Sequence, residues 1–424
     1  MAAAAGGPGC QDRGGRCGGG SAAAARHAVR PAASRRALGR GETTTRSNFG
    51  YTDWDVADRP QVVIWEATRA CALACRHCRA SAQRRPRPDE LRTDEARGLL
   101  RQIAAVRPQI FVITGGDPLE RPDLFDLMED ARALGLRVSV APSVTPLLHT
   151  AALEHLARAG CAGIQLSLDG ADAATHDRFR GQPGVFAATL EACATIRRLG
   201  LPLTLATTVA RHDVHQIDAL YALVGSLHPV RWSLFFLVPT GRARAEEMIA
   251  AEAAEAVLLR LRRFAADAPF AIKTTEAPAI RRLLLAGGSA PQARATIGDG
   301  RGFLFLAANG DICPSGFLPL VAGNVRQDDV LEVYRRHPIF LQMRDPGALR
   351  GPRCGRCEYR AVCGGSRSRA YAITGDPLGD DPLCAHVPGA AGGASPSGAA
   401  GDGDALGAGV AGGSRSAAAG DAAC

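Results

Sequence analysis

Between the first strand-like run at Val62 and the sixth, ending at Val238, the chain repeats one unit: a short apolar segment, then an amphipathic stretch. The apolar runs are Val62–Glu66, Ile110–Thr114, Arg137–Ala141, Gly163–Ser167, Leu203–Thr208 and Arg231–Val238. Helical patterns fall between them, as over Pro122–Leu134, Thr150–Ala159, Val185–Leu199 and His215–Leu227, with Gly135, Gly160 and Gly200 near three of their ends. Strands that alternate with helices build a parallel sheet with the helices outside. Repeats of roughly 30–35 residues fit a β/α barrel, or part of one, better than a sandwich. Function in such folds collects on the loops that follow the strands.

Those loops carry unusual residues. After the first strand comes "TRACALACRHCRAS" (Thr68–Ser81), with Cys71, Cys75 and Cys78 spaced Cys-x3-Cys-x2-Cys. After the second comes "TGGDP" (Thr114–Pro118), and "SLDG" (Ser167–Gly170) ends the fourth. Soft thiolates suit iron and sulfide. A [4Fe–4S] cubane takes four cysteines, so three on one loop leave an iron with an open position. An open position marks a reactive metal centre rather than a closed structural one. Gly115 and Gly116 allow close backbone approach, and Asp117 is placed to accept from an amine.

After Val238 the pattern changes. A helical stretch (Arg244–Ala266) and a loop-rich connector lead to Cys313, Cys354, Cys357, Cys363 and Cys384. The expected organisation is therefore an extension over 1–47, a barrel over 48–243, a helical connector over 244–300, a small cysteine-rich domain over 301–388 and a tail over 389–424. Both tails are rich in Gly, Ala and Ser and cannot bury enough apolar surface to offset ordering entropy, so disorder is expected there. Cys10, Cys17 and Cys424 fall in them and are read as incidental. The arginine-rich, acid-poor start resembles a transit peptide but reads as an extension.

The net charge of +8 is concentrated in residues 1–50, which hold eight arginines against Asp12 and Glu42. No basic patch interleaved with aromatics follows, which argues against nucleic acid. Of fifty basic residues only Lys273 is lysine. No run of about 18 apolar residues predicts a membrane span. Thirteen cysteines without a secretion signal point to metal or redox chemistry in a reducing compartment, hence a cytoplasmic protein.

The cysteine spacing after a first strand, with a Gly-Gly-acid-Pro turn after the second, resembles the radical S-adenosylmethionine (SAM) enzymes over roughly residues 60–388. The resemblance implies a partial TIM-like barrel in which Cys71, Cys75 and Cys78 hold a [4Fe–4S] cluster and S-adenosylmethionine fills the open iron. It implies an external one-electron donor such as ferredoxin or flavodoxin, reductive cleavage of the sulfonium, and a 5′-deoxyadenosyl radical that takes hydrogen from substrate. Gly115, Gly116, Asp117, Pro118, Ser167 and Asp169 match positions near the cofactor. Asp117 is one methylene shorter than the usual glutamate, His77 stands where an aromatic is common, and Pro142-Ser143-Val144 replaces Thr-Asn-Gly.

Cys354-x2-Cys357-x5-Cys363-x20-Cys384 read alone suits zinc or iron–sulfur. Beside such a barrel it resembles a SPASM or twitch extension with one auxiliary [4Fe–4S] cluster. Arg367 stands where a further cysteine would fall, and Cys313 is expected to be a buried filler. Cys161 and Cys193 read as core. His176 and Arg180 match a helix-start pattern, with Arg180 either near the cofactor or in an ion pair. "PTGRA" (Pro239–Ala243) is either a mouth element or a plain turn. His149, His155, His212 and His215 read as surface or cap residues. The C-terminal run resembles haem and haem d1 radical enzymes, with Arg367 and Arg369 suited to propionate carboxylates. A tetrapyrrole substrate is therefore expected, with peptide or protein maturation as the alternative. A non-catalytic metal scaffold is the competing class, but it has no need of the open three-cysteine loop and GGDP turn.

Overall fold

The computed structural model describes residues 55–288 and 297–389. All six expected strands form, as β1 (Val62–Glu66), β2 (Ile110–Thr114), β3 (Val138–Val140), β4 (Ile164–Ser167), β5 (Leu203–Val209) and β6 (Arg231–Phe236). Four further strands follow: β7 (Ala271–Thr275), β8 (Phe303–Leu306), β9 (Asp311–Cys313) and β10 (Gly323–Asn324). The helices are α1 (Thr93–Val106), α2 (Leu124–Ala133), α3 (Thr150–Arg158), α4 (Ala173–Arg180), α5 (Val185–Arg198), α6 (Ile217–Ser226), α7 (Ala251–Asp267), α8 (Ile280–Ala286), α9 (Val330–Arg336), α10 (Pro338–Arg344) and α11 (Arg367–Thr374).

One sheet takes all ten strands in the order β10-β9-β8-β1-β2-β3-β4-β5-β6-β7. From β8 through β7 every pairing is parallel, and β9 and β10 add antiparallel at the β8 side. Strands β7 and β10 end the order, so among the described residues the barrel stays open. The expected partial barrel is therefore present, and it extends past the six strands read from sequence. The connector expected to be helical contains β7 and returns to the sheet. The cysteine-rich segment begins with β8, which pairs with β1.

Alternation sets the two faces. Val63 and Trp65 of β1, Trp232, Leu234 and Phe236 of β6, and Leu304 and Leu306 of β8 are at most 1% exposed and join the core under the helices. Ile64, Phe303 and Phe305 alternate with them and gather with Ala307 and Cys313 in a second, smaller cluster on the interior side. The tails and Cys10, Cys17 and Cys424 lie outside the described residues. No helix among the described residues is long and apolar enough to cross a membrane.

Candidate active site

The three-cysteine loop leaves β1 at Glu66 and is fastened from several sides. Glu66 is fully buried and pairs with Arg69 at 2.7 Å and Arg79 at 2.5 Å, so one carboxylate grips both flanks of the loop. Arg79 also lies over the Phe305 ring, 4.6 Å from its centroid. The loop closes on itself where Cys71 N–H donates to Gln83 O and Gln83 N–H to Arg69 O.

Each of the three sulfurs faces an N–H donor. Leu73 N lies 3.4 Å from Cys71 Sγ, Arg180 Nη1 3.6 Å from Cys75 Sγ, and Ala82 N 3.3 Å from Cys78 Sγ. Donors aimed at sulfur stabilise thiolate and tune a cluster's potential. Burial pushes the Cys75 thiol up, and the Arg180 guanidinium pulls against it. Arg180 Nε also meets Asp169 Oδ2 at 3.3 Å. Burial opposes ionisation of Asp169, but Arg180 and neighbouring groups outweigh it and leave the carboxyl below its usual range. The ion-pair reading of Arg180 is the one seen: it pairs with Asp169 and reaches the Cys75 sulfur from the same guanidinium. Asp169 and Arg180 are at most 9% exposed.

The GGDP turn packs directly beneath this loop. Gly116 N–H donates to Thr68 O and Asp117 N–H to Ala70 O, both at 2.7 Å. A Cβ on Gly116 would stand 2.3 Å from Ala70 O, and one on Gly115 would stand 2.6 Å from Thr68 O. The glycines are thus required by the cysteine loop itself. Asp117 corrects an expectation in the same way. Its carboxylate is fully buried and accepts from Leu119 N, Ser143 N and Thr145 Oγ1 at 3.2, 3.3 and 2.8 Å. Burial raises its pKa, and those three donors pull it back. It therefore fixes the turn rather than presenting an oxygen to an amine. Pro118 starts the short helical turn that Asp117 caps. Ser143 donates to Gly116 O at 2.9 Å and lies 3.5 Å from Cys71 Sγ, joining the third strand's loop to the other two. Ser167 ends β4 beside Ala206 of β5, half-buried.

Sequence reading missed two supports. Arg242 of the PTGRA turn donates to Cys75 O at 2.8 Å and Ala82 O at 2.7 Å, and its own N–H reaches Cys78 O. Gly241 precedes it at φ +65°, where a Cβ would meet the Cys78 and Arg79 carbonyls at 2.3 Å. This segment clamps the cysteine loop, so it is more than a plain turn. The second support is a three-ring stack. His77 lies 4.0 Å from Phe179, and Phe179 lies 3.7 Å from His212. His77 acts as the planar group expected at its position, and burial lowers it to about 3, so it is a neutral ring. His212 was read as surface or cap; it is instead wedged against Phe179, with Nε2 3.1 Å from Asp169 O. His176 accepts from Asp169 N, and burial lowers it to about 4. His149 does cap α3, accepting from Ala152 N, whereas His155 stacks on Phe125.

Cys354, Cys357, Cys363 and Cys384 line a single recess with Arg282, Asp381 and His386. Arg367 Nη2 lies 3.9 Å from Cys354 Sγ. Four cysteines on one recess are a ligand set that fits a thiolate-held cluster. Arg367 and Arg369, expected to suit propionates, are engaged by the chain's own groups. Arg367 donates to Pro377 O and Gly379 O at 2.9 and 2.6 Å. Arg369 is fully buried and binds Asp381 at 3.0 Å plus the carbonyls of Phe236, Leu237 and Glu276. Arginine is drawn inward here because one planar fork can satisfy several loop carbonyls at once.

The remaining cysteines behave as filler. Cys161 Sγ lies 3.2 Å from Gly163 O, and Cys193 packs in the main core. Cys313 packs with Phe305 and Ala307, and burial pushes its thiol up to about 12. Cys313→Ala is therefore expected to leave iron per chain unchanged, as measured by metal analysis; a loss of about four irons would make it a ligand.

A parallel, open α/β barrel with three loop sulfurs turned toward N–H donors defines an iron–sulfur enzyme scaffold. The family model described as "Radical SAM superfamily" matches residues 65–224. The AdoMet-dependent heme synthase of Methanosarcina barkeri is 35% identical over 347 residues, covering 79% of this chain and 99% of that protein. The pre-heme d1 synthase of Dinoroseobacter shibae is 31% identical over 348 residues, covering 76% and 85%. The chain belongs to the radical SAM superfamily and is a radical SAM enzyme, a family built on a [4Fe–4S] cluster and S-adenosylmethionine. Among solved structures, Streptococcus suis SuiB bound to precursor peptide SuiA aligns with a TM-score of 0.62 at 17% identity, covering 78% of this chain and 76% of that one. At that identity the likeness speaks to the fold alone.

Proposed function

We propose that this enzyme acts on a carboxylate-bearing tetrapyrrole, removing propionate carboxyl groups oxidatively. The observation that carries the reading is similarity along nearly the whole length of a relative named AdoMet-dependent heme synthase. In this reaction one hydrogen leaves the propionate carbon next to the ring, the carboxylate departs as carbon dioxide, and a vinyl group remains. One electron is left over and goes to a one-electron acceptor.

In this reading Cys71, Cys75 and Cys78 hold the cluster, whose chemistry when bound is one-electron cleavage of S-adenosylmethionine to a 5′-deoxyadenosyl radical. Arg180, Asp169, Ser143 and Arg242 set the loop that carries those ligands. Gly115, Gly116, Asp117 and Pro118 shape the cofactor's floor by fixing the cysteine loop, and Ser167 borders it. Cys354, Cys357, Cys363 and Cys384 hold one auxiliary [4Fe–4S] cluster, whose chemistry is electron transfer. Residues 48–243 form the radical core, 244–300 the connector and 301–388 the auxiliary unit. An external ferredoxin or flavodoxin supplies the reducing electron, in the cytoplasm, with neither nucleic acid nor membrane as partner.

Anaerobic incubation with S-adenosylmethionine, a reductant and iron coproporphyrin III tests this. The expected products are 5′-deoxyadenosine and a porphyrin with vinyl groups in place of propionates, seen by mass spectrometry. 5′-Deoxyadenosine formation with the porphyrin left intact would refute the tetrapyrrole reading and favour a peptide substrate.

A further inference from the structure

With Arg367 and Arg369 committed to the auxiliary loop, a carboxylate-bearing substrate must be held by other cations. The barrel interior provides them. On β6, Trp232, Leu234 and Phe236 join the core beneath the helices. Arg231, Ser233 and Phe235 therefore take the opposite, interior face. Strand β7 pairs in register, with Arg231 beside Ala271 and Ser233 beside Lys273. Directly paired residues of neighbouring strands share a face, so Lys273 also points inward, one step along from Arg231. Arg281, in the first turn of α8, brings a third positive charge close. Burial lowers the Lys273 amine to about 8, and the charges of Arg231 and Arg281 add to that effect.

The remaining interior wall has a different character. Ile64 of β1 and Phe303 and Phe305 of β8 form an apolar patch. Phe235 lies 6.4 Å from Phe317, which extends that patch toward the site face. The interior face of the sheet thus has an aromatic part on β1 and β8 and a cationic part on β6 and β7.

Lys273 is also anomalous in composition. Every other basic residue in the chain is arginine, including its two cationic neighbours. None of the three cations is idle. Arg281 donates to the carbonyls of Val362 and Ile297, and Arg231 and Lys273 each have a contact within the chain. Five donors on each guanidinium and three on the ammonium leave capacity for a ligand. Gathering three like charges in a low-dielectric interior is unfavourable, and an entering carboxylate relieves it.

We propose that Arg231 and Lys273 form a carboxylate anchor on the interior face of β6 and β7, for a substrate with a flat apolar body and acidic arms. This rests on the tetrapyrrole reading and specifies which groups select the substrate's arms.

Binding of coproporphyrin III and of its methyl ester, followed by absorbance, tests the anchor on the reconstituted enzyme. Lys273→Met should weaken the acid form by about tenfold or more, as expected for losing a charged hydrogen-bond partner. Ester affinity should change far less. Arg231→Gln should show the same selective loss and guards against a folding defect in the first variant. Lys273→Arg should recover only part of the acid preference. Iron content and thermal midpoint report whether each variant is folded. Equal losses for acid and ester, or an unchanged acid preference in both variants, would overturn the anchor. If parent enzyme converts the porphyrin and the variants keep their acid preference, the anchor alone fails. If the parent binds neither porphyrin, the substrate reading fails and the anchor fails with it.

Discussion

Replacing any one of Cys71, Cys75 or Cys78 by alanine reduces 5′-deoxyadenosine formation to background. The expectation rests on more than spacing. Each sulfur has its own donor, from Leu73, Arg180 and Ala82, so no neighbouring cysteine stands ready to replace a lost one. Cys161, Cys193 and Cys313 are packed in apolar surroundings. Each variant should lose about four irons per chain and keep the other four at the second cysteine group. A single variant that still cleaves S-adenosylmethionine would remove Cys71, Cys75 and Cys78 as the essential ligand set. Loss of all iron from one substitution would show instead that the two cysteine groups do not assemble independently.

Arg369→Met should be the most damaging substitution outside the cysteines. The Arg369 side chain is fully buried and joins the end of β6, the turn after β7 and the Asp381 carboxylate. Methionine fills much of the volume but leaves Asp381 buried without its cation and three carbonyls without a donor. Breaking one side of a buried pair costs about 3–5 kcal/mol. Chemical denaturation should show that loss, and metal analysis should show about four irons missing from the Cys354–Cys384 group. Arg369→Lys should recover little, because one ammonium cannot reproduce the planar fork. Should Arg369→Met instead keep its stability and iron but raise KM for a carboxylate substrate, Arg369 would be a substrate contact after all.

The six strands of the first half were legible because they are short, largely apolar runs separated by amphipathic helices, three of which stop near Gly135, Gly160 and Gly200. Strand β7 was not: "AIKTT" has a lysine and two threonines, the look of a polar linker. It forms because Ile272 meets the helix-side core while Lys273 faces the interior, and only pairing with β6 reveals that split. The cysteines were legible because their spacing along the chain carries the chemistry. Their supports were not. Arg242 and Glu66 act through carbonyls and guanidinium groups brought together by topology. Asp117, Arg367 and Arg369 were assigned to ligands because acids and arginines near cysteines suit ligands. Burial decided otherwise, since each had unsatisfied backbone or side-chain groups nearer at hand. The histidines failed similarly: nothing in local sequence separates His212, stacked on Phe179, from the exposed His215.

Strand β1 lies between β2 and β8. Its second neighbour begins only at Phe303, long after Glu66 has been made. At a synthesis rate of about 5–20 residues per second, that edge waits on the order of 10–50 seconds for its partner. During that interval the nascent chain displays the open hydrogen-bonding edge of an apolar strand, and the cysteine loop hangs from its end. An exposed strand edge invites pairing with other chains. That edge closes, and Arg79 gains the Phe305 ring that flanks the cysteine loop, only when β8 docks.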